Sequence, residues 1–276
     1  MRQVLLLFLC FFPAARARAA GKNQDVGTSA GNFLKLGADA RGTAMGESVG
    51  AEAADASSIY WNPAGLAGLT ERNAQMTHTI LFQSMFEDFI AYAQPVGSIL
   101  RGGEAQRYRD LRSNPYGSVG VGVLYLNSGS ISEVDNTGAF TGEGFTPHDY
   151  AVIASWGSAI TEYLDVGVSG KYVNSSIEAT ASTGAADAGA KLKFHLGTVP
   201  VAFAVAAQNV GGTLKYNLSA DHLPLTFKAG VSARLAGHWS ITGEAYWPRD
   251  HGPYGAAGTE IRLPYSQSLT FFLRAG

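Results

Sequence analysis

The chain has 276 residues, 46% hydrophobic and only 15% charged, with 34 glycines and a formal net charge of −2. An ordinary soluble domain is about 25% charged and about 7% glycine, so this surface is short of charge and this backbone is rich in tight approaches. No internal charge block points to nucleic acid, and past the first fifteen residues no apolar run reaches the roughly 18 residues of a membrane helix.

The first twenty residues read as a secretory signal peptide. Met1-Arg2-Gln3 is a positive start, residues 4–12 form an apolar core, and residues 14–20 offer small-residue cleavage sites such as Ala17-Arg18-Ala19. The one cysteine, Cys10, sits inside that core between Leu9 and Phe11, which is not a lipoprotein pattern. Cleavage near Ala19 or Ala20 removes Arg2, Arg16 and Arg18 and no acid, leaving 17 of the 20 basic residues against 22 acidic ones, a formal charge of −5. An exported, cysteine-free fold needs a large core or a closed hydrogen-bonded sheet in place of disulfides.

Residues 21–70 have another texture. Small residues dominate, Asp55 with Ser57 and Ser58 can cap a short helix, and Asn62-Pro63-Ala64-Gly65 reads as a turn in which Pro63 fixes φ and Gly65 permits a positive one. A compact helix-turn unit of this size could plug a barrel mouth; composition alone leaves an ordinary N-terminal loop equally open.

From about residue 73 the period is two, the signature of strands with one apolar and one polar face. Leu164, Val166, Val168, Gly170 and Tyr172 oppose Asp165, Gly167, Ser169 and Lys171. The same alternation sets Ala188, Ala190, Leu192 and Phe194 against Asp187, Gly189, Lys191, Lys193 and His195. It sets Phe227, Ala229, Val231 and Ala233 against Thr226, Lys228, Gly230, Ser232 and Arg234, and Trp239, Ile241, Ala245 and Trp247 against Ser240, Thr242, Glu244 and Tyr246. Seven more strands are expected at 73–83, 86–96, 117–127, 149–158, 199–209, 255–263 and 268–275, about eleven in all, and their length of roughly nine to eleven residues suits a tilted membrane strand. The polar face mixes charge, Ser and Gly as a lumen would. Tyr150, Trp156, Tyr163, Tyr172, Trp239, Tyr246, Trp247 and Tyr254 fall near strand ends, where interfacial girdles lie. The expectation is an all-β, antiparallel transmembrane barrel over residues 71–276; a soluble sandwich is the competing architecture. An odd strand count is unusual for such barrels, so the sequence is expected to be C-terminally incomplete.

Catalytic and metal patterns are weak. His78, His148, His195, His222, His238 and His251 are scattered, without a His-Glu-x-x-His pair or a cysteine partner. Gly-x-Ser-x-Gly occurs at residues 27–31 and 46–50 without the preceding apolar strand of a nucleophile elbow. No catalytic residue, metal or cofactor is expected. Arg101, Arg107, Arg109 and Arg112, interspersed with Glu104 and Asp110, read as a solvated loop, with binding of acidic groups as the sharper alternative. The polar stretch 128–148, with Ser128, Ser130, Glu133, Asp135 and Asn136, is the candidate docking surface.

One joint signature goes further. Residues 33–37, Arg41, Met45-Gly46, Ala54-Asp55-Ala56-Ser57 and Tyr60-Trp61-Asn62-Pro63-Ala64-Gly65-Leu66 resemble the N-terminal signature of PorV/PorQ-type outer-membrane proteins. The Asp-Ala-Ser and Asn-Pro-Ala-Gly pieces also look like the FadL long-chain fatty-acid transporter superfamily. The similarity runs on through residues 117–123, 164–172, Gln208-Asn209-Val210-Gly211-Gly212 and Leu223-Pro224-Leu225-Thr226-Phe227. The resemblance implies a FadL-like barrel of fourteen strands in the bacterial outer membrane with an N-terminal hatch, so that about three strands lie past Gly276. On that reading Gly37, Arg41, Met45, Gly46, Asp55, Asn62, Pro63, Ala64 and Gly65 make up the hatch and its turn. Two functions follow from it: a non-enzymatic protein of type IX secretion or cell-surface assembly, with outer-membrane lipid, secretion-system proteins and cargo as partners, or a channel for hydrophobic small molecules.

Overall fold

A computed structural model describes residues 27–100, 114–135, 137–177, 179–216, 219–266 and 269–276. The signal segment 1–20, the arginine-rich stretch 101–112 and Asn136 lie outside the described residues. Fifteen strands are described: β1 (Asn73–Ile80), β2 (Phe86–Pro95), β3 (Ser118–Asn127), β4 (Ile131–Val134), β5 (Phe140–Phe145), β6 (His148–Ala159), β7 (Leu164–Ser176) and β8 (Thr180–Leu196) come first. β9 (Val199–Val210), β10 (Thr213–Tyr216), β11 (Ser219–His222), β12 (Thr226–Leu235), β13 (Trp239–Pro248), β14 (Tyr254–Pro264) and β15 (Thr270–Ala275) complete them.

Eleven of these form one antiparallel sheet in the order β1-β2-β3-β6-β7-β8-β9-β12-β13-β14-β15. These are the eleven strands the alternation marks out. Two short hairpins, β4-β5 and β10-β11, stand apart from the sheet. Both were missed by the period-two reading, because three of their strands have only four residues and β5 carries two glycines. β8 also begins seven residues before the alternation at Asp187, because residues 180–186 are all small or polar. Among the described residues, β1 pairs only with β2 and β15 only with β14, so the wall is a barrel wall with two free edges. Both hairpins emerge at one end, called the mouth here; the opposite end is the base.

The wall is inside-out relative to a soluble protein. Along β7, Asp165, Ser169 and Lys171 are buried while Val168 and Tyr172 are exposed. On β3, β9 and β12 the outward Val121, Phe203 and Phe227 are 57%, 42% and 53% exposed, although each is a residue that a soluble sheet would bury. The inward polar groups meet partners: Ser155 bonds Ser169 across the β6-β7 pair at 2.7 Å, and Lys171 reaches Asp187 at 2.8 Å.

The core lies inside the curve of the sheet, against the hatch. Residues 28–69 run from the mouth to the base through short helical turns at Asn32–Lys35, Ala40–Ala44, Ser58–Trp61 and Pro63–Gly68. Asp39 organises them: one carboxylate oxygen accepts from the Gly42 amide at 3.1 Å, and the other accepts the indole N–H of Trp61. Met45, Ile59, Trp61 and Leu66 are fully buried and pack with Phe89, Leu124, Ile153 and Val173 of the wall. The plug therefore meets apolar inward residues on β2, β3 and β6, and polar ones such as Lys191, Lys228 and Glu244 on β8, β12 and β13.

Candidate functional site

Of the nine hatch residues picked out by the sequence, two groups face opposite walls. Asn62, Pro63 and Ala64 face β6 to β9. Asn62 is buried, its Oδ1 accepts from the Ala64 amide at 3.0 Å as an N-cap, and its Nδ2 donates to the Val205 carbonyl at 3.4 Å. Pro63 occupies the first turn of its helix, where a missing N–H costs nothing. A Cβ on Gly157 or Gly167 would collide with Pro63, and one on Gly189 with Asn62; the seat of the hatch is a set of inward glycines.

Gly65 corrects the sequence reading. It does not take a positive φ; it lies in the helical turn Pro63–Gly68, where a Cβ would collide with the Ala53 carbonyl and the Ser58 hydroxyl. Close packing, not handedness, demands glycine there. The cap near Asp55 also differs in detail. Asp55 Oδ1 accepts from the Ser57 amide at 2.9 Å and the Ser57 hydroxyl at 2.6 Å, whereas Ser57 makes no cap bond with its own side chain.

Arg41, Met45 and Gly46 face the other way, towards β13 to β15. Met45 packs over Gly258, and Gly46, at φ 60°, lies against Ala257 and Gly276. Arg41 stands in an alternating chain of charges. Arg274 meets Glu260 at 2.6 Å, Glu260 meets Arg41 at 2.9 Å, Arg41 meets Glu52 at 3.6 Å, and Glu52 meets Arg234 at 2.6 Å. Burial pulls the Arg41 guanidinium down, but its bond and attraction to Glu260, with Glu52 and Asp55 adding, outweigh this and hold it above its ordinary value. A Cβ on Gly37 would collide with the Thr43 hydroxyl inside the hatch.

Further hatch-to-wall contacts come from residues the alternation placed on the polar face without a role. Glu244 accepts from the Gly50 amide at 2.8 Å and pairs with Lys228 at 3.4 Å; Lys228 in turn lies 5.4 Å from the rings of both Trp61 and Tyr246. Tyr246 was expected in the aromatic girdle. It points inward instead, donates to the Glu47 carbonyl and stacks on Tyr254 at 4.7 Å, because it shares the inward register of Thr242 and Glu244. Burial pushes the Glu47 carboxyl up. Near the mouth Lys35 meets Asp250 at 2.8 Å; burial raises that carboxyl, but hydrogen bonds from Lys35 and Ser29 with the Lys35 charge prevail and hold it below the usual carboxylate range. A charged residue in the inward register of a strand is the signal that could have found these contacts.

A β-bulge interrupts the β8-β9 ladder between Ala186 and Ala188. Asn209 stands there at φ 58°. Its amide N–H donates to Asp187 at 2.8 Å, its Oδ1 accepts from Lys171 at 2.8 Å, and its Nδ2 donates to Pro224 at 3.2 Å.

Of the serines in the Gly-x-Ser-x-Gly patterns, Ser48 is buried and shares a 2.6 Å hydrogen bond with Thr242, while Ser29 bonds Asp250. Among the described residues no three His, Cys, Asp or Glu side chains gather to hold a metal ion. The stretch 128–148 is not a plain loop: it carries the β4-β5 hairpin, whose Ile131, Val134 and Phe140 are all exposed. Asp135 closes its turn by accepting from the Thr137 hydroxyl at 2.6 Å and the Thr137 amide at 2.8 Å; these bonds lower its carboxyl.

The family model described as type IX secretion system protein PorV matches residues 19–199 of the chain. Among curated proteins none matches it.

Proposed function

The chain belongs to the PorV family of type IX secretion system proteins, and from that premise we propose that it is a non-enzymatic outer-membrane barrel that serves protein secretion or cell-surface assembly through protein contacts. The observation that carries the membrane half of this reading is the inverted wall. A monomeric soluble protein rarely exposes an apolar patch beyond a few hundred Å², whereas here Val121, Val152, Val168, Phe203, Phe227 and Trp247 on the long strands β3, β6, β7, β9, β12 and β13 face outward, and the charged Lys171, Asp187, Lys228 and Glu244 are buried inside. In lipid that pattern is the stable one, because backbone groups are satisfied in the ladder and the oily face meets acyl chains. The chain reaches this membrane as an exported protein whose first twenty residues are removed.

The hatch packs against the inner face of the wall, and on this reading the working surface is at the mouth. The β4-β5 hairpin offers Phe140, Ile131 and Val134 beside Glu133, Asp135 and Glu143, an exposed apolar and acidic face suited to a protein partner. A channel for hydrophobic solutes draws no comparable support: Ile59, Trp61 and Leu66 occupy the space behind the wall.

The test has two arms. A strain lacking the gene is expected to retain type IX cargo, restored by the intact gene, and a photocrosslinker placed at Phe140 is expected to capture a secretion-system component or cargo. Normal cargo release together with no captured protein would overturn the reading.

A further inference from the structure

At the mouth, the β10-β11 hairpin folds back over β8 and leaves a cleft of about 410 Å³. The Thr213 amide donates to the Thr183 hydroxyl at 3.2 Å, and the Arg249 amide donates to the Leu225 carbonyl at 2.9 Å, which fixes the two rims. Gly212 permits the approach, since a Cβ there would lie 2.6 Å from the Gly184 carbonyl and 2.9 Å from Leu223. A second cavity of about 250 Å³ adjoins the first, walled by the start of the hatch, which is held there by the Ala30 amide donating to the His222 carbonyl at 3.0 Å.

His222 and Arg249 line both cavities and so stand on the ridge between them. Arg41, Arg234 and Arg274 are each tied to a glutamate, but among the described residues the Arg249 guanidinium has no hydrogen-bond or ion-pair partner. The carboxylates nearby are Asp250, already held by Lys35, and Asp221, which lines only the smaller cavity. The larger cavity is lined by Leu223 and Leu225, with Thr183, Thr213 and Asn209 beside them. Its volume lies within the roughly 300–1,000 Å³ of small-molecule sites and exceeds what a bare phosphate ion would fill.

A free guanidinium fork, an imidazole and hydroxyl groups beside an apolar wall suit a tetrahedral oxyanion on an organic body. We propose that this cleft binds a phosphate monoester, with Arg249 and His222 on the phosphate and Leu223 and Leu225 against the organic part. The site goes beyond the secretion reading and does not depend on it. The phosphate can belong to a soluble molecule or to a lipid headgroup.

The test uses the full chain folded in detergent, titrated with glycerol 3-phosphate at fixed ionic strength, and in parallel the chain in nanodiscs of phosphatidylcholine with and without phosphatidate. Saturable binding that R249Q weakens tenfold or more is expected in at least one arm; glycerol 3-phosphate alone marks a soluble ligand, phosphatidate a headgroup. R262Q removes the same charge from the base end of β14 and is expected to leave binding unchanged. R249K keeps the charge without the fork and is expected to fall between. Absence of saturable binding in both arms, or equal losses in R249Q and R262Q, would overturn the assignment.

Discussion

At Gly65 the room for a side chain is already taken by the Ala53 carbonyl and the Ser58 hydroxyl, so Gly65→Ala has to displace part of the hatch from its seat. Overpacking of this kind costs about 1–3 kcal/mol, and the denaturation midpoint of the detergent-folded chain should fall accordingly. Gly170→Ala is the matched control, since nothing lies within 4 Å of its Cβ position, and it should leave the midpoint nearly unchanged. Arg41→Met removes charged hydrogen bonds worth about 1.5–3 kcal/mol; the loss stays moderate because Glu260 keeps Arg274 and Glu52 keeps Arg234. Asp250 gives a pH dependence of definite sign. Its carboxyl is held below the usual range in the folded chain, so its contribution is present above the unfolded value of about 4 and is lost as pH falls through the folded one. Wild type should therefore exceed Asp250→Asn in stability near neutrality, and the two curves should converge in acid.

Elements differ in how far their sequence announces them. The long strands are legible because their inward and outward residues differ in kind at every second position, as with Lys171 beside Tyr172. The hairpins β4-β5 and β10-β11 are not, because four residues give too few alternations to stand out from a loop. The hatch is legible as a segment and illegible as a site: Arg41 and Asn62 lie in one stretch of chain, yet the fold sends them to opposite walls. Which inward glycine receives which hatch residue is equally hidden, since Gly167 looks like any other small lumen residue until Pro63 is seen against it. That contact gives an element-scale prediction. Gly167→Leu should drive the Pro63–Gly68 turn out of its seat, read as faster proteolysis within residues 28–69 and as larger ion conductance in planar bilayers; unchanged cleavage and conductance would show that the seat is not needed. The bulge at Asn209 is held by the buried Lys171–Asp187 pair, with side chains 2% and 0% exposed. Lys171→Met leaves a buried carboxylate unpaired and should cost about 3–5 kcal/mol, with part recovered in the double variant K171M/D187N.

Taken as one molecule, the chain makes sense only if its two faces meet different surroundings. The inner face is matched by the hatch, charge to charge and glycine to backbone. The outer face has no protein partner among the described residues, and its tryptophans divide accordingly: Trp156, Trp239 and Trp247 are exposed, Trp156 and Trp239 near the base and Trp247 near the mouth, while Trp61 is 2% exposed inside. The most direct measurement is fluorescence of the four single-tryptophan variants in vesicles whose acyl chains carry bromine. Strong quenching of Trp156, Trp239 and Trp247, with Trp61 left bright, is the predicted result. Outer tryptophans that the brominated chains do not touch would contradict a wall turned towards lipid.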